Sequence, residues 1–268
     1  MRIRIDHRTS YRYASPATGM IQALRLTPRN HGGQHVLAWR IDIDQDGSFR
    51  ESRDAFGNVV TMFYASGAVD AVTISVSGLV DVTDTTGIVR ADETLPSAVY
   101  RRVTPLTRPD AALQALAARF ADLPPLIALQ QLCEALRSEL RFEVGLTDPT
   151  TPAATAYAAG HGVCQDFAHI FIAAARSLGV PARYVSGHLM RDSRQEAAHA
   201  WAEALVPDLG WVGFDPANGI SPTEAYIRVA IGLDYLDAAP IRGTRRGGGA
   251  ETLAVSVDAI AAMGQSQA

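Results

Sequence analysis

The sequence predicts an α+β fold, in which an antiparallel β-sandwich precedes a core built from a helix packed on an antiparallel sheet. The first hundred residues alternate between apolar and polar side chains in short runs, which is typical of half-buried strands. From residue 110 the spacing becomes helical, and strand-like runs return after a helix that begins near Cys164. We therefore divide the chain into a β-sandwich domain at 1–100 and a second unit at 101–268 that includes a helical connection.

Composition restricts the class of protein and of partner. The chain has 268 residues, of which 47% are hydrophobic and 19% charged, as in an ordinary globular protein. Its formal net charge of −4 does not favour binding to nucleic acid or to an anionic membrane. Apolar runs are shorter than a membrane span, and the charged N-terminus does not resemble a signal peptide. With two cysteines, Cys133 and Cys164, no disulfide framework is expected, and we predict a cytoplasmic location.

The β-sandwich domain is predicted from short runs separated by turn residues. Asp46-Gly47 and Phe56-Gly57-Asn58 are turn signals, and several short strands joined in this way are typical of a sandwich. We interpret this domain as structural. The alternating or β-branched runs lie at 2–6, 10–13, 24–28, 36–44, 59–64 and 69–82.

Two helices are predicted in the connection. Residues 110–122 are rich in Ala and Leu at helical spacing, and Pro124-Pro125 separates them from a second amphipathic segment at 126–140. Cys133 lies inside this second helix among leucines, so we expect it to be a small buried apolar residue.

A third, strongly apolar helix is predicted to begin at Cys164. The turn Gly160-His161-Gly162 precedes it, and Gly179 and Pro181 end it. Cys164 therefore lies in the first turn, where unpaired N–H groups and the helix dipole favour a thiolate. Gln165 and Asp166 are expected to cap or neutralise this helix start.

The chain after this helix predicts further strands. Runs at 182–190, 199–206 and 211–215 have strand character, and residues 207–210 form a hairpin turn between the last two. The sequence leaves open whether the loop from Arg191 to Ala198 closes over a site. Later strands are predicted at 227–231 and 252–257, with a mobile basic loop at 243–249 and a frayed end at 264–268.

The hairpin places two candidate partners of the cysteine together. His199 opens one strand and Asp215 closes the next, so both lie at the same end of an antiparallel pair. An imidazole and a carboxylate there can form a hydrogen bond. Thiol chemistry requires a thiolate, a base beside it and a group that orients the base.

Several motifs resemble a known family. The central segments Gly162-Val163-Cys164-Gln165-Asp166-Phe167-Ala168-His169 and Leu178-Gly179-Val180-Pro181-Ala182-Arg183, followed by His199-Ala200-Trp201 and Gly210-Trp211-Val212-Gly213-Phe214-Asp215-Pro216, resemble the transglutaminase-like core. His7, Thr9, Tyr11 and Tyr13, then Leu24-Arg25-Leu26-Thr27-Pro28-Arg29 and Asp54-Ala55-Phe56-Gly57-Asn58, resemble the β domain of bacterial transglutaminase-like proteins that are often described as cysteine proteases.

This resemblance implies a papain-like catalytic core at 101–268 with a Cys-His-Asp triad and no metal or cofactor. Cys164 would be the nucleophile, His199 the general base and acid, and Asp215 the group that fixes the imidazole tautomer. The substrate would be a peptide or protein amide, and the intermediate a thioester. We favour a cysteine protease or amidase; a protein-crosslinking transglutaminase and a non-catalytic binding scaffold are the alternatives.

Three further residues are candidates for substrate binding. His161 could line the cleft near the cysteine or serve only as a turn residue. Trp201 and Trp211 could form cleft walls that exclude water, or be ordinary core residues. A zinc site is a weaker alternative, since no second closely spaced Cys or His pair supports it. Its ligands would come from His161, Cys164, His169, His188 and His199.

Overall fold

The computed structural model describes residues 1–191 and 197–262, and the predicted α+β fold class is confirmed. The loop at 191–198 lies largely outside the described residues and the tail at 264–268 entirely so, hence the expectations for both stay untested. A seven-stranded antiparallel sheet, here called the first sheet, is formed by β1 (Arg2–Leu24), β2 (Gln34–Ile43), β3 (Gly47–Arg53), β4 (Val59–Ala65), β5 (Val69–Val82), β13 (Ile241–Gly247) and β14 (Glu251–Ala261).

The long strand β1 organises the first sheet. Its alternation buries Ile3, Ile5, His7 and Thr9 on one face. Its first half pairs with β5 and β14, and its second half pairs with β4 and β13. Register shifts beyond Arg12 mark irregular pairing between the two halves. The runs predicted at 2–6 and 10–13 are therefore parts of one continuous strand.

The end of the described chain differs from the prediction. The sequence assigns 101–268 to the second unit and a mobile loop to 243–249, whereas β13 and β14 both pair with β1 of the first sheet. Glycine and arginine weaken the local strand signal at 243–249. Residues 243–247 nevertheless form a strand, because their backbone pairs with β1, where Gln22 lies opposite Gly243.

A second antiparallel sheet carries the helices. The elements of this part of the chain are β6 (Ile88–Val89), a 3-10 helix (Ser97–Arg101), α1 (Ala111–Ala118), α2 (Pro125–Glu139), β7 (Arg141–Phe142), α3 (Ala153–Ala159), β8 (His161–Gly162), α4 (Cys164–Ser177), β9 (Ala182–Leu189), β10 (His199–Val206), β11 (Gly210–Phe214), β12 (Tyr226–Gly232) and α5 (Tyr235–Ala238). The strand order of the second sheet is β12-β9-β10-β11-β6, and a short parallel pair, β7 with β8, lies apart from it.

Helix α4 lies at the centre of the main core. Its apolar residues are buried, and the Phe171 ring stacks on Phe214 of β11 with ring centroids 5.1 Å apart. Helix α2 packs nearby and buries Cys133, whose pKa is raised by burial to about 12, so this thiol stays protonated. The core thus fixes the axis of α4 and with it the position of its first residue.

The two sheets are joined by apolar contacts and by hydrogen bonds between a side-chain amide and the backbone. Ile3, Ile5 and Val80 of the first sheet pack against Ile227 of β12. The buried Asn58 side chain donates to the Ile231 carbonyl at 2.7 Å and accepts the Ile231 N–H at 2.9 Å. Because both polar groups of the amide are satisfied, the contact fixes the relative position of the sheets.

Among the described residues, the structure contains no helix that is long and apolar enough to cross a membrane. The cytoplasmic location stays a prediction.

We expect Phe171→Ala to lower the free energy of unfolding by about 3–5 kcal/mol, because it removes a buried ring and leaves a cavity under α4. Guanidinium denaturation followed by circular dichroism measures the change. The matched control is Phe142→Ala, whose ring is half exposed and whose loss should cost less than about 1 kcal/mol. Equal destabilisation by both substitutions would contradict this assignment of the core.

Candidate active site

Cys164 is the first residue of α4, and its local backbone is held by a cap. The carboxylate of Asp166 accepts the Val163 N–H at 2.8 Å and the Thr147 hydroxyl at 2.7 Å. Gly162 permits this approach, since a Cβ at that position would lie 2.6 Å from Asp166 Oδ2. Asp166 thus caps the helix start, as expected, and sets the direction in which the chain leaves the turn.

The Cys164 side chain is a free thiol, partly exposed, and lines the same cavity as His199, whose pKa it helps to raise. The N-terminus of α4 presents unpaired backbone N–H groups at the same place. A developing negative charge on sulfur, or on an oxygen bound beside it, would therefore be stabilised there.

His199 and Asp215 are in contact across the β10–β11 hairpin. The register pairs Ala202 with Phe214, which brings the start of β10 beside the residue that follows β11. His199 Nε2 lies 2.6 Å from Asp215 Oδ2, and the carboxylate is fully buried. The structure therefore brings His199 into a hydrogen bond with Asp215 and beside Cys164.

Asp215 has two further side-chain partners that sequence reasoning missed. Oδ2 accepts from the Tyr226 hydroxyl at 2.8 Å and from Asn218 Nδ2 at 2.6 Å. Oδ1 accepts the Ala217 N–H at 3.1 Å. Asn218 could have been suspected from the turn that follows Asp215, but Tyr226 arrives on β12, at the far edge of the second sheet, and no local pattern relates it to Asp215.

The pair of His199 and Asp215 is ionised near neutral pH. Burial lowers the pKa of His199, but its hydrogen bond to Asp215 and its interaction with Cys164 outweigh that effect and raise the pKa to about 9. Burial raises the pKa of Asp215, but the hydrogen bond to His199 and the charge of His199 lower it by more. The net shift of the Asp215 pKa is therefore downward. An imidazolium beside a carboxylate is the resulting state.

A cavity of about 230 Å³ opens beside the thiol. Cys164, Gln165, Tyr184 and His199 form the side that belongs to the second sheet and α4, and Tyr235 of α5 borders it. The opposite side comes from strands of the first sheet. A substrate group that enters this space would lie next to both the sulfur and the imidazole.

The three predicted substrate-binding residues do not line this cavity in the described part of the chain. Trp201 is buried with its ring stacked on His199, at a centroid distance of 6.1 Å. Trp211 is buried under the guanidinium of Arg183, which lies 3.8 Å from its ring. His161 lies in β8, where it pairs with Arg141 of β7. The two indoles thus pack as core residues, the second of the two alternatives, and substrate contact by any of the three residues stays a prediction.

The histidines of the alternative zinc site occupy separate environments. His169 Nε2 accepts the Tyr235 N–H at 3.0 Å, and the His188 ring packs edge-on against His7. Over residues 1–191 and 197–262, no three His, Cys, Asp or Glu side chains are gathered as a metal site would require.

Comparison with known proteins identifies the family. The model of the bacterial transglutaminase-like N-terminal region matches residues 3–81, and that of the transglutaminase-like superfamily matches residues 114–216. The uncharacterized protein ML0607 of Mycobacterium leprae (strain TN) is 34% identical over 280 residues, covering 96% of this chain and 98% of its own. The uncharacterized protein Rv2569c of Mycobacterium tuberculosis (strain ATCC 25618 / H37Rv) is 32% identical over 90% of this chain and 87% of its own.

Among solved structures, a "putative cysteine protease" from Cytophaga hutchinsonii superimposes with a TM-score of 0.77 over 99% of this chain and 92% of its own. At 20% sequence identity this likeness shows a shared fold. The chain belongs to the transglutaminase-like superfamily and carries that superfamily's bacterial N-terminal region.

Proposed function

We propose that the protein is a thiol-dependent enzyme that cleaves or transfers the acyl group of peptide or protein amides. The observation that carries the proposal is that Cys164 and His199 line one cavity, while His199 is hydrogen-bonded to the buried Asp215. Membership of the transglutaminase-like superfamily supports a thiol enzyme in general terms. The roles of the individual residues are inferred from their geometry.

The first half of the proposed reaction forms a thioester. In the reactive form His199 already holds the thiol proton as an imidazolium, and the Cys164 thiolate attacks the amide carbon to give a tetrahedral oxyanion. The backbone N–H of Cys164, at the start of α4, is the natural donor to that oxygen. When the C–N bond breaks, His199 returns the proton to the leaving amine. Asp215 stays ionised and holds the imidazole in the required orientation.

The second half releases the acyl group. Water attacks the thioester while His199 accepts its proton, the C–S bond breaks, and the thiol is regenerated with a carboxylic acid as product. An amine in place of water would give a new amide, as in a crosslinking transglutaminase. We favour water, since the described lining of the cavity includes no Asp or Glu that would hold a cationic amine.

We expect iodoacetamide to label one cysteine per folded chain in the wild type and none in Cys164→Ala. Cys133→Ala is the matched control and should still incorporate one label, because that thiol is buried and stays protonated. Mass spectrometry gives the stoichiometry, and hydrolysis of peptide amides by the three proteins gives the activity. Labelling of Cys164→Ala equal to that of the wild type, with no turnover by any of them, would favour the non-catalytic scaffold.

We expect Asp215→Asn to lower the pKa of His199 from about 9, because burial then acts without the opposing carboxylate charge. The imidazolium is present below its pKa, so the alkaline limit of kcat/KM should move to lower pH in the variant. The value of kcat/KM itself should fall by on the order of 10²- to 10⁴-fold.

Two measurements check this expectation. NMR titration of the His199 ring gives its pKa directly, and the pH profile of amide hydrolysis gives the kinetic limit. The control is Asp122→Asn, which replaces an exposed carboxylate in the helical connection. It should change neither the pKa of His199 nor the pH profile of hydrolysis. An unchanged titration of His199 in Asp215→Asn would contradict the proposed role of the carboxylate.

A further inference from the structure

The cavity beside Cys164 has a second wall, which comes from the first sheet. Three strands contribute to it: β1, β13 and β14. This is the sheet that the sequence analysis interprets as structural, yet its side chains face the thiol across the cavity. We call the part of it formed by Tyr11, Leu253 and Val255 the β wall.

The geometry of the β wall follows from strand pairing. Tyr11 of β1 lies directly opposite Leu253 of β14, and Thr9 lies opposite Val255. Residues two apart in a strand point to the same side of a sheet, so these four side chains form one patch of cross-strand neighbours. Leu253 is 54% exposed, which leaves its side chain free to contact a ligand.

The described lining of the cavity is uncharged apart from the site itself. Its described lining residues include no Asp, Glu, Lys or Arg. His7 also borders the cavity, but burial lowers its pKa to about 4, so its ring is neutral near pH 7. A charged substrate side chain placed against the β wall would lose hydration and find no oppositely charged partner among the described lining residues.

The cavity is also small. Its volume of about 230 Å³ is below the range of about 300–1,000 Å³ that is usual for pockets holding a drug-sized ligand. It suits one side chain better than a long segment. A neighbouring cavity of about 290 Å³ shares Tyr11, Tyr235 and Ile241 with it, and Arg242 and Arg245 border that second space. The apolar character is therefore confined to the part next to the thiol.

We propose that the β wall determines specificity, by selecting acyl donors whose side chain next to the reacting carbonyl is uncharged and apolar. This inference rests on the proposed function, because it takes Cys164 as the nucleophile. It assigns the first sheet a part in substrate recognition beyond support of the fold.

The test uses the alkylation of Cys164 by three peptidyl chloromethyl ketones that differ only in the residue bearing the ketone: Leu, Asp or Lys. The sulfur forms a C–S bond with the methylene carbon as chloride leaves, so the rate reports recognition of the side chain. We expect the wild type to react with the Leu probe at least about tenfold faster than with either charged probe. Iodoacetamide, which has no such side chain, measures the reactivity of the thiol alone.

Two substitutions of opposite charge should shift this preference in opposite directions. Leu253→Arg should lower the Leu-to-Asp rate ratio by at least about tenfold, and Leu253→Asp should lower the Leu-to-Lys ratio similarly. A merely structural disturbance would not reverse with the sign of the charge. The control is Ile260→Arg, which is on the same strand, similarly exposed and on the opposite face, and should leave all ratios unchanged.

The outcomes separate this inference from the proposed function. If iodoacetamide alkylates Cys164 at the same rate in all variants but the probe ratios do not differ between wild type and the Leu253 variants, the β wall does not determine specificity. The proposed function would then still stand. If Cys164 does not react with iodoacetamide in the wild type, the proposed function fails, and this inference fails with it.

Discussion

The buried carboxylate of Asp215 is the constraint on which the rest of the site depends. A carboxylate without solvent must be satisfied by donors, and here they come from β10, from the turn after β11 and from β12. Removing any one of these elements would leave the buried charge with one donor fewer. The requirement therefore fixes three segments of the second sheet relative to one another, and His199 is held as one of the donors.

A second buried carboxylate, on the strand that carries His199, shows what is particular about Asp215. Glu203 lies on β10 on the same side as His199 and is bound by Arg183 at 2.6 Å and by Arg228 at 2.7 Å. Burial raises the pKa of Glu203, but the two guanidiniums outweigh it and lower the pKa to about 2. Arginine does not give up its proton in this range, so that cluster stays fixed in charge. At Asp215 the partner is an imidazole, which can accept and return a proton.

The sequence was most informative where the contacts are local. The strands at 199–206 and 211–215, with a short turn between them, sufficed to place His199 beside Asp215, because hairpin register is set by neighbouring residues. Cys164 could be placed at a helix start for the same reason. Tyr226 and the β wall could not be found in this way, since both reach the site through pairings between distant segments.

The two tryptophans show a different limit of sequence reasoning. Both stand within motifs that carry candidate site residues, which suggested a place in the cleft. Trp201 follows His199 by two positions on β10, so the two side chains lie on the same face. The rings of Trp201 and Tyr226 make an edge-to-face contact, with centroids 5.4 Å apart, and both rings are buried. Val212 and Phe214 pack in the core with α4, so alternation turns Trp211 to the other face of the sheet. Sequence distance to a motif does not give the direction of a side chain.

The pairing of β14 with β1 has a bearing on how the site is completed during synthesis. The thiol, the imidazole and the carboxylate all precede β14 in the chain, so they leave the ribosome before the strand that closes the cavity. Until that strand docks, one edge of β1 lacks its partner and Cys164 faces an open side. Translation order therefore delays the finished cavity until after Cys164, His199 and Asp215 have all emerged.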